Sequence, residues 1–320
     1  MLDIMPVKDD GMTSCFDVQL EALGIWKKVG YELMFLDNWK FNFEEDGVGY
    51  GIWKRGKLAS RLYFDYKLQT VSLFEKFHGI KVNFRNVTTE ELANIVKENL
   101  NVSKNPILIS FDTFYLPWLE KFYQKIHSEH CIMVIGESKL GYYINDTRPF
   151  LLEPIHGEEL SKEVISLGFL NNVFDFEIKK VEFSFQEVKE ELLSIDLNMF
   201  AQMHNFANYL EWNPIEIGEL EDFDGGSGIL FRAFRNIIRS RMHLKKSLKY
   251  INLYYINVSP TIEAFDYVIK KWVIIKNLLL KAYISNDYDN INHKMALLID
   301  EVADFEEKIA TDFISSIRSV

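Results

Sequence analysis

The apolar residues of this chain change their spacing partway along it, and that change dictates a two-part fold. Up to about residue 155, short continuous apolar runs recur: Pro106-Ile107-Leu108-Ile109-Ser110-Phe111, Cys131-Ile132-Met133-Val134-Ile135 and Tyr142-Tyr143-Ile144. Runs this short, bounded by turn residues, read as buried strands. Glu137-Ser138-Lys139-Leu140-Gly141 separates the last two, which makes them a β-hairpin. Helical segments are interleaved with them. Ser14 to Val29 carries Val18, Ala22, Ile25, Trp26 and Val29 at helical spacing, with Thr13 or Ser14 as N-cap and Gly30 as the stop. Thr88-Thr89-Glu90-Glu91 opens another helix as a capping box. Thr113 to His127 reads as a helix or helical turn after Asp112. Gly47, Gly49, Gly51 and Gly56 mark a loop-rich connection.

Later in the chain the helical period takes over. Glu158 to Leu167, Phe185 to Ser194, Ile229 to Tyr250, Ile262 to Ile284 and His293 to Ser319 are helix candidates. The last has Met295, Leu298, Val302, Phe305 and Ile309 as one apolar stripe, the pattern of a bundle core. Asp222 to Gly228 is the clearest internal loop. The expected fold class is α+β, with a mixed domain over 1–155 and a mainly α-helical domain over 156–320.

Charge and cysteine content then remove several function classes. Lys and Arg number 36 against 47 Asp and Glu, a net charge of −11, so no broad basic footprint exists for nucleic acid or an anionic membrane. Two cysteines, Cys15 and Cys131, support neither a disulfide framework nor a Cys-rich zinc site. The longest apolar stretch, Trp272 to Ala282, is interrupted by Lys276, Asn277 and Lys281 and falls short of the ~20 residues a membrane span needs. Met1 to Pro6 lacks the basic region and apolar run of a signal peptide. The expected compartment is the cytoplasm.

Cys15 is the first candidate for chemistry. At a helix start, unpaired N–H groups and the helix dipole stabilise a thiolate, and such a thiol needs only a base and an orienting group to accept an acyl group. The alternative is a small apolar residue packed under the helix. His130 stands at the start of one hairpin strand and Asp146 at the end of the other. With the turn centred near Ser138-Lys139, position 130 lies opposite 147, so Asp146 falls within one residue of His130 and can hold its ring in one tautomer. Strand alternation sends Cys131 to the opposite face from His130. His127 is the competing base, while His78, His156, His204, His243 and His293 read as surface or structural residues.

These residues sit in motifs that resemble a known family. Asp10-Gly11-Met12-Thr13-Ser14-Cys15, Asp112-Thr113-Phe114-Tyr115-Leu116-Pro117-Trp118, Glu129 to Gly136 and Tyr142-Tyr143-Ile144-Asn145-Asp146 follow the order of the butirosin-biosynthesis acyltransferase (BtrH-like) N-terminal domain. The segment from Gly225 to Ala233 is similar to the domain that usually follows, and the chain also resembles the amide-forming enzyme of closthioamide assembly.

The resemblance implies a papain-like cysteine peptidase fold for the first domain. It also implies transfer of an acyl group from a carrier-protein thioester to a small amine, in antibiotic biosynthesis. By motif, Cys15 is then the nucleophile, His130 the base and Asp146 the orienting group. No bound cofactor is implied, because the phosphopantetheine belongs to the acyl or peptidyl carrier protein that is the partner. A cytoplasmic cysteine peptidase or amidase with the same triad, or a non-catalytic binding module, are the competing readings.

One departure concerns the oxyanion. Papain-type enzymes commonly take a donor from a Gln upstream of the Cys, and Pro6 to Ser14 holds neither Gln nor Asn. Gln19 and Tyr115 are the substitutes to consider. Asp112 matches the family motif, and a helix N-cap explains it equally well. For the carrier, Arg232, Arg235 and Arg239 form a basic stripe and Arg241, Lys245 and Lys249 a second. Either docks an acidic carrier protein or balances Glu216 to Asp224 as a solvated face.

Overall fold

The computed structural model describes residues 1–8, 13–45, 58, 61–62, 67–147, 153–213, 215, 219–220, 228–285 and 287–320. Asp10-Gly11-Met12, the glycines at 47, 49, 51 and 56, and the loop from Asp222 to Ser227 lie outside them. The described residues form two compact units. The first comprises Met1–Leu33 and Val71–Glu182, the second Met34–Thr70 and Phe183–Val320.

The first unit is built on a six-stranded sheet. Its strands are β1 (Ile80–Asn86), β2 (Ile107–Asp112), β3 (Glu129–Glu137), β4 (Gly141–Asp146), β5 (Ile155–Ser161) and β6 (Phe169–Ile178). They are ordered β1-β6-β2-β3-β4-β5, and every pairing is antiparallel. The division expected near residue 155 therefore falls inside the sheet, at β5. The helix expected over Glu158 to Leu167 is likewise split: 155–161 is strand, and α4 (Lys162–Gly168) starts only after the Ser161 cap. Only Ile155 and Leu160 are buried along 155–161, and the exposed Glu158 and Glu159 suit the outer position of an edge strand.

Helices cover both faces of the sheet. On one side, α3 (Thr89–Glu98) and α4 enclose a cluster containing Leu92, Val96, Ile109, Phe111, Ile132 and Ile144. The α3 capping box forms with both of its hydrogen bonds. On the other side, α1 (Cys15–Lys27) places Phe16 against Phe174, ring centroids 4.9 Å apart. The helix stops at Lys28, which takes the left-handed conformation (φ 58°) itself, two residues before Gly30. Gly24 is required here, since a Cβ would stand 2.3 Å from the Gly30 carbonyl oxygen. Buried His78, at the end of α2 (Lys67–His78), accepts the Leu33 N–H and donates to the Val29 carbonyl, tying down this exit. Between β2 and β3, of the helix or helical turn expected over Thr113 to His127 the structure has the turn, a 3₁₀ turn (Thr113–Tyr115) followed by further turns, because Pro117 cannot donate to a continuing helix.

The second unit contains α5 (Phe185–Leu193), α6 (Asn198–Trp212), α7 (Ile229–Tyr254), α8 (Ser259–Ser285) and α9 (Tyr288–Arg318). Trp39 and Phe41, from the segment before α2, are buried among the aromatic rings of Phe200, Phe206, Phe265 and Trp272. At the centre lies Glu306, fully buried, which accepts from Arg241, Trp39 Nε1 and Trp272 Nε1. Arg241 thus leaves the expected second basic stripe for the core, where its guanidinium also donates to the Lys40 carbonyl. Its charge is tolerable there only because Glu306 neutralises it and the remaining donors are satisfied. Arg232 is exposed on α7, and Arg235 and Arg239 are half-buried.

Candidate active site

Cys15 occupies the first position of α1, directly after the capping residue Ser14. Ser14 caps the helix by accepting the Asp17 N–H at 3.0 Å while donating to Asp17 Oδ2 at 2.6 Å. The thiol is therefore held where the helix has unpaired amides.

His130 and Asp146 come from neighbouring strands at one end of the sheet, where β3 begins and β4 ends. The register differs by one residue from the expected one. Met133 faces Asn145, and continuing that register sets Ile132, not Cys131, opposite Asp146. At the turn Glu137 faces Tyr142, two residues from the expected pairing, and an irregularity between Val134 and Gly136, one extra residue in β3, takes one of the two back and switches the face. Its consequence is large, because directly paired residues share a face. In the expected register Asp146 falls on the Cys131 side; in the observed one it falls on the side of Ile132 and His130. Asp146 Oδ1 lies 2.7 Å from His130 Nε2. The carboxylate is fully buried and the imidazole nearly so.

The Cys15 thiol completes the arrangement by hydrogen-bonding the His130 ring and accepting from the Cys131 backbone amide. Nε2 is taken by Asp146, which leaves Nδ1 for the sulfur. Burial pushes the thiol up, but the His130 charge, its hydrogen bond and the Cys131 amide outweigh that push and the repulsion of Asp146; the net shift is downward. Burial pulls His130 down, and the charges of Asp146 and Cys15, with their hydrogen bonds, lift it well above an ordinary histidine. Both shifts favour a thiolate–imidazolium pair, the reactive state of a nucleophilic cysteine.

The remaining candidates are placed elsewhere. Cys131 is buried on the opposite face of β3. His127 bonds Asp112 Oδ2 at 2.6 Å and stacks on Phe114. Asp112 caps the following turn by accepting the Phe114 N–H, and together with its bond to His127 this lowers its carboxyl against the opposing effect of burial. Gln19, one turn below Cys15, is buried and donates to the Asn145 carbonyl at 3.5 Å. Tyr115 packs against the core cluster under α3. His204 pairs with Asp300, His293 with Glu211, His156 with Asn145 and His243 with Asn38.

Reading the sequence missed Trp118. Its indole N–H donates to Asp146 Oδ2 at 2.7 Å, so both oxygens of the buried carboxylate are occupied. An aromatic residue able to donate, in the connection between β2 and the strand that carries His130, was the available signal. Among the described residues no group of three or more His, Cys, Asp or Glu side chains is arranged to hold a metal ion. Nor is any described helix long and apolar enough to cross a membrane.

The fold and this constellation define an α+β protein with a cysteine–histidine–aspartate site at the end of an antiparallel sheet. Residues 45–147 match the family model described as Butirosin biosynthesis protein H, N-terminal. The likeness to the BtrH-like family is shown over that segment, which contains His130, Asp146 and Trp118 and begins after Cys15. It does not speak to closthioamide assembly. No curated protein matches the chain.

Proposed function

We propose that the protein is a cysteine-dependent acyltransferase on a papain-like fold, forming an amide from a carrier-protein thioester and a small amine. The observation that carries this reading is the convergence of Cys15, His130 and Asp146 with shifts that favour the thiolate–imidazolium pair. The family match over residues 45–147 supports a role in antibiotic biosynthesis of the butirosin type.

In the first half-reaction the Cys15 sulfur attacks the thioester carbonyl. The bond to the phosphopantetheine sulfur breaks, and the His130 imidazolium gives that leaving thiolate its proton. One thioester replaces another, so little free energy is spent. In the second, the amine nitrogen attacks the acyl-Cys15 carbonyl, His130 takes the nitrogen's proton, and the Cys15 thiolate leaves as the C–N bond forms. The exchange of thioester for amide drives this step. The Cys15 backbone amide, at the start of α1, supplies one oxyanion donor. Arg232, Arg235 and Arg239 on α7 receive the acidic carrier protein.

Intact-mass measurement after mixing with acyl-loaded carrier proteins tests this directly. The protein should gain the acyl mass, Cys15→Ala should not, and addition of amine should release the amide. Absence of any adduct across acyl donors would overturn acyl transfer. Release chiefly by water, with a broad panel of amines present, would replace it with a peptidase or amidase.

A further inference from the structure

We propose that Trp118 is a positioning residue for the site, fixing the Asp146 carboxylate so that one oxygen serves His130. The role rests on the triad reading above and extends it to a residue outside the three. Asp146 is fully buried, and its two oxygens have one donor each: His130 Nε2 at 2.7 Å on Oδ1 and Trp118 Nε1 at 2.7 Å on Oδ2. An indole nitrogen only donates, so this contact cannot reverse its sense. Without it, Oδ2 is a buried carboxylate oxygen lacking a partner, and the group must turn to recover one. Turning takes Oδ1 off the imidazole.

The segment that delivers Trp118 is itself fastened at both ends. The Thr113 N–H donates to the Ser128 carbonyl at 2.9 Å, and the Gln124 N–H to the Phe114 carbonyl at 2.9 Å. Asp112 Oδ1 accepts from the Phe114 and Ser128 amides while its other oxygen holds His127. Leu116 and Leu119, on either side of the indole, are buried in the core under α3. The Asp112–His127 pair thus stands at the base of the loop that carries Trp118.

Iodoacetamide alkylation of Cys15, mapped by mass spectrometry across pH, reads the stability of the thiolate–imidazolium pair. Trp118→Phe should move the alkylation midpoint upward, by up to about one pH unit, because the imidazolium that holds the thiolate loses its carboxylate partner and this outweighs the relief of direct repulsion by Asp146. Trp118→Phe added to Asp146→Ala should move it no further, since the indole acts through the carboxylate. An unchanged midpoint in Trp118→Phe overturns the proposal. An equal shift on the Asp146→Ala background also overturns it and leaves the indole as packing alone. Should Trp118→Phe fail to fold, the benzothienylalanine isostere, which keeps the ring and loses the N–H, is read by the same two outcomes. Alkylation needs neither acyl donor nor amine, so a failure of acyl transfer leaves this result standing.

Discussion

Replacing Asp146 with Asn is the most incisive perturbation of this site, because the two oxygens of the carboxylate meet two donors. An amide has one carbonyl oxygen and one NH₂ group. Whichever way the substituted side chain turns, its NH₂ faces either the His130 Nε2–H or the Trp118 Nε1–H. One hydrogen bond to a charged group is lost, about 1.5–3 kcal/mol, and a buried donor is left without an acceptor, about 1–3 kcal/mol. The sum, about 2.5–6 kcal/mol, is shared between fold stability and the ion pair. Were it to fall wholly on reactivity, it would equal ~10²- to 10⁴-fold in rate. Cys15 alkylation at pH 6, with urea unfolding run alongside, separates the two parts. Asp146→Asn should lose at least tenfold in alkylation rate. Adding Trp118→Phe removes the competing donor and frees the amide oxygen for His130, so the double variant should react faster than Asp146→Asn alone. A double variant no faster than the single would refute the two-donor account.

The nucleophile assignment predicts that Cys15→Ala abolishes acylation with the fold intact, and that Cys131→Ala retains it. Because the Cys15 thiol is lowered and the imidazole raised, alkylation of the wild type should already proceed below the ordinary thiol range. It should decline as pH falls and the thiolate protonates. His130→Ala should lose ~10²-fold or more in rate, the scale of a lost general base, while His127→Ala stays near wild type; steady-state kinetics with one donor decide the ranking. Reversing Arg232 and Arg235 to Glu should raise KM for a carrier-bound donor and leave a small thioester mimic nearly unchanged, and added salt should discriminate the same way. Equal losses on both donors would remove the carrier from that stripe.

The strands flanking the site were legible because their apolar runs are short and continuous, and the start of α1 because Ser14 stands directly before a helical period. The register was not, since the turn is centred one residue later than Ser138-Lys139 and a bulge then inserts a residue without changing composition; the lone Gly136 inside the strand pattern is the one local sign of the bulge. Sequence reading also missed β1 and β6, whose polar and half-exposed residues blur the period of two. The absence of α6 from the expected helices was avoidable. Met199, Met203, Phe206 and Leu210 recur at steps of four, three and four, and all are buried. Packing of Trp39 and Phe41 among helices more than 150 residues later along the chain depends on tertiary fit and leaves no local trace. Arg241 was misplaced for a related reason, as its partner Glu306 lies in another helix.

Pairing with a carboxylate does not by itself single out the base. His127 lies 2.6 Å from Asp112, and His204 and His293 have acidic partners too. What separates His130 is solvent. The His127 ring is 67% exposed, so water and ions screen its pair, and such a contact contributes little. At the sheet end His130 is 12% exposed and Asp146 not at all, so their attraction acts with far less screening. Burial alone would depress the imidazolium and the thiolate together; each charge persists because the others are within contact. The arrangement is therefore mutual, with Trp118 satisfying the last oxygen that burial would otherwise leave bare. On the reading proposed above, a loop residue that packs on the core and donates to the carboxylate bears on the thiol through His130.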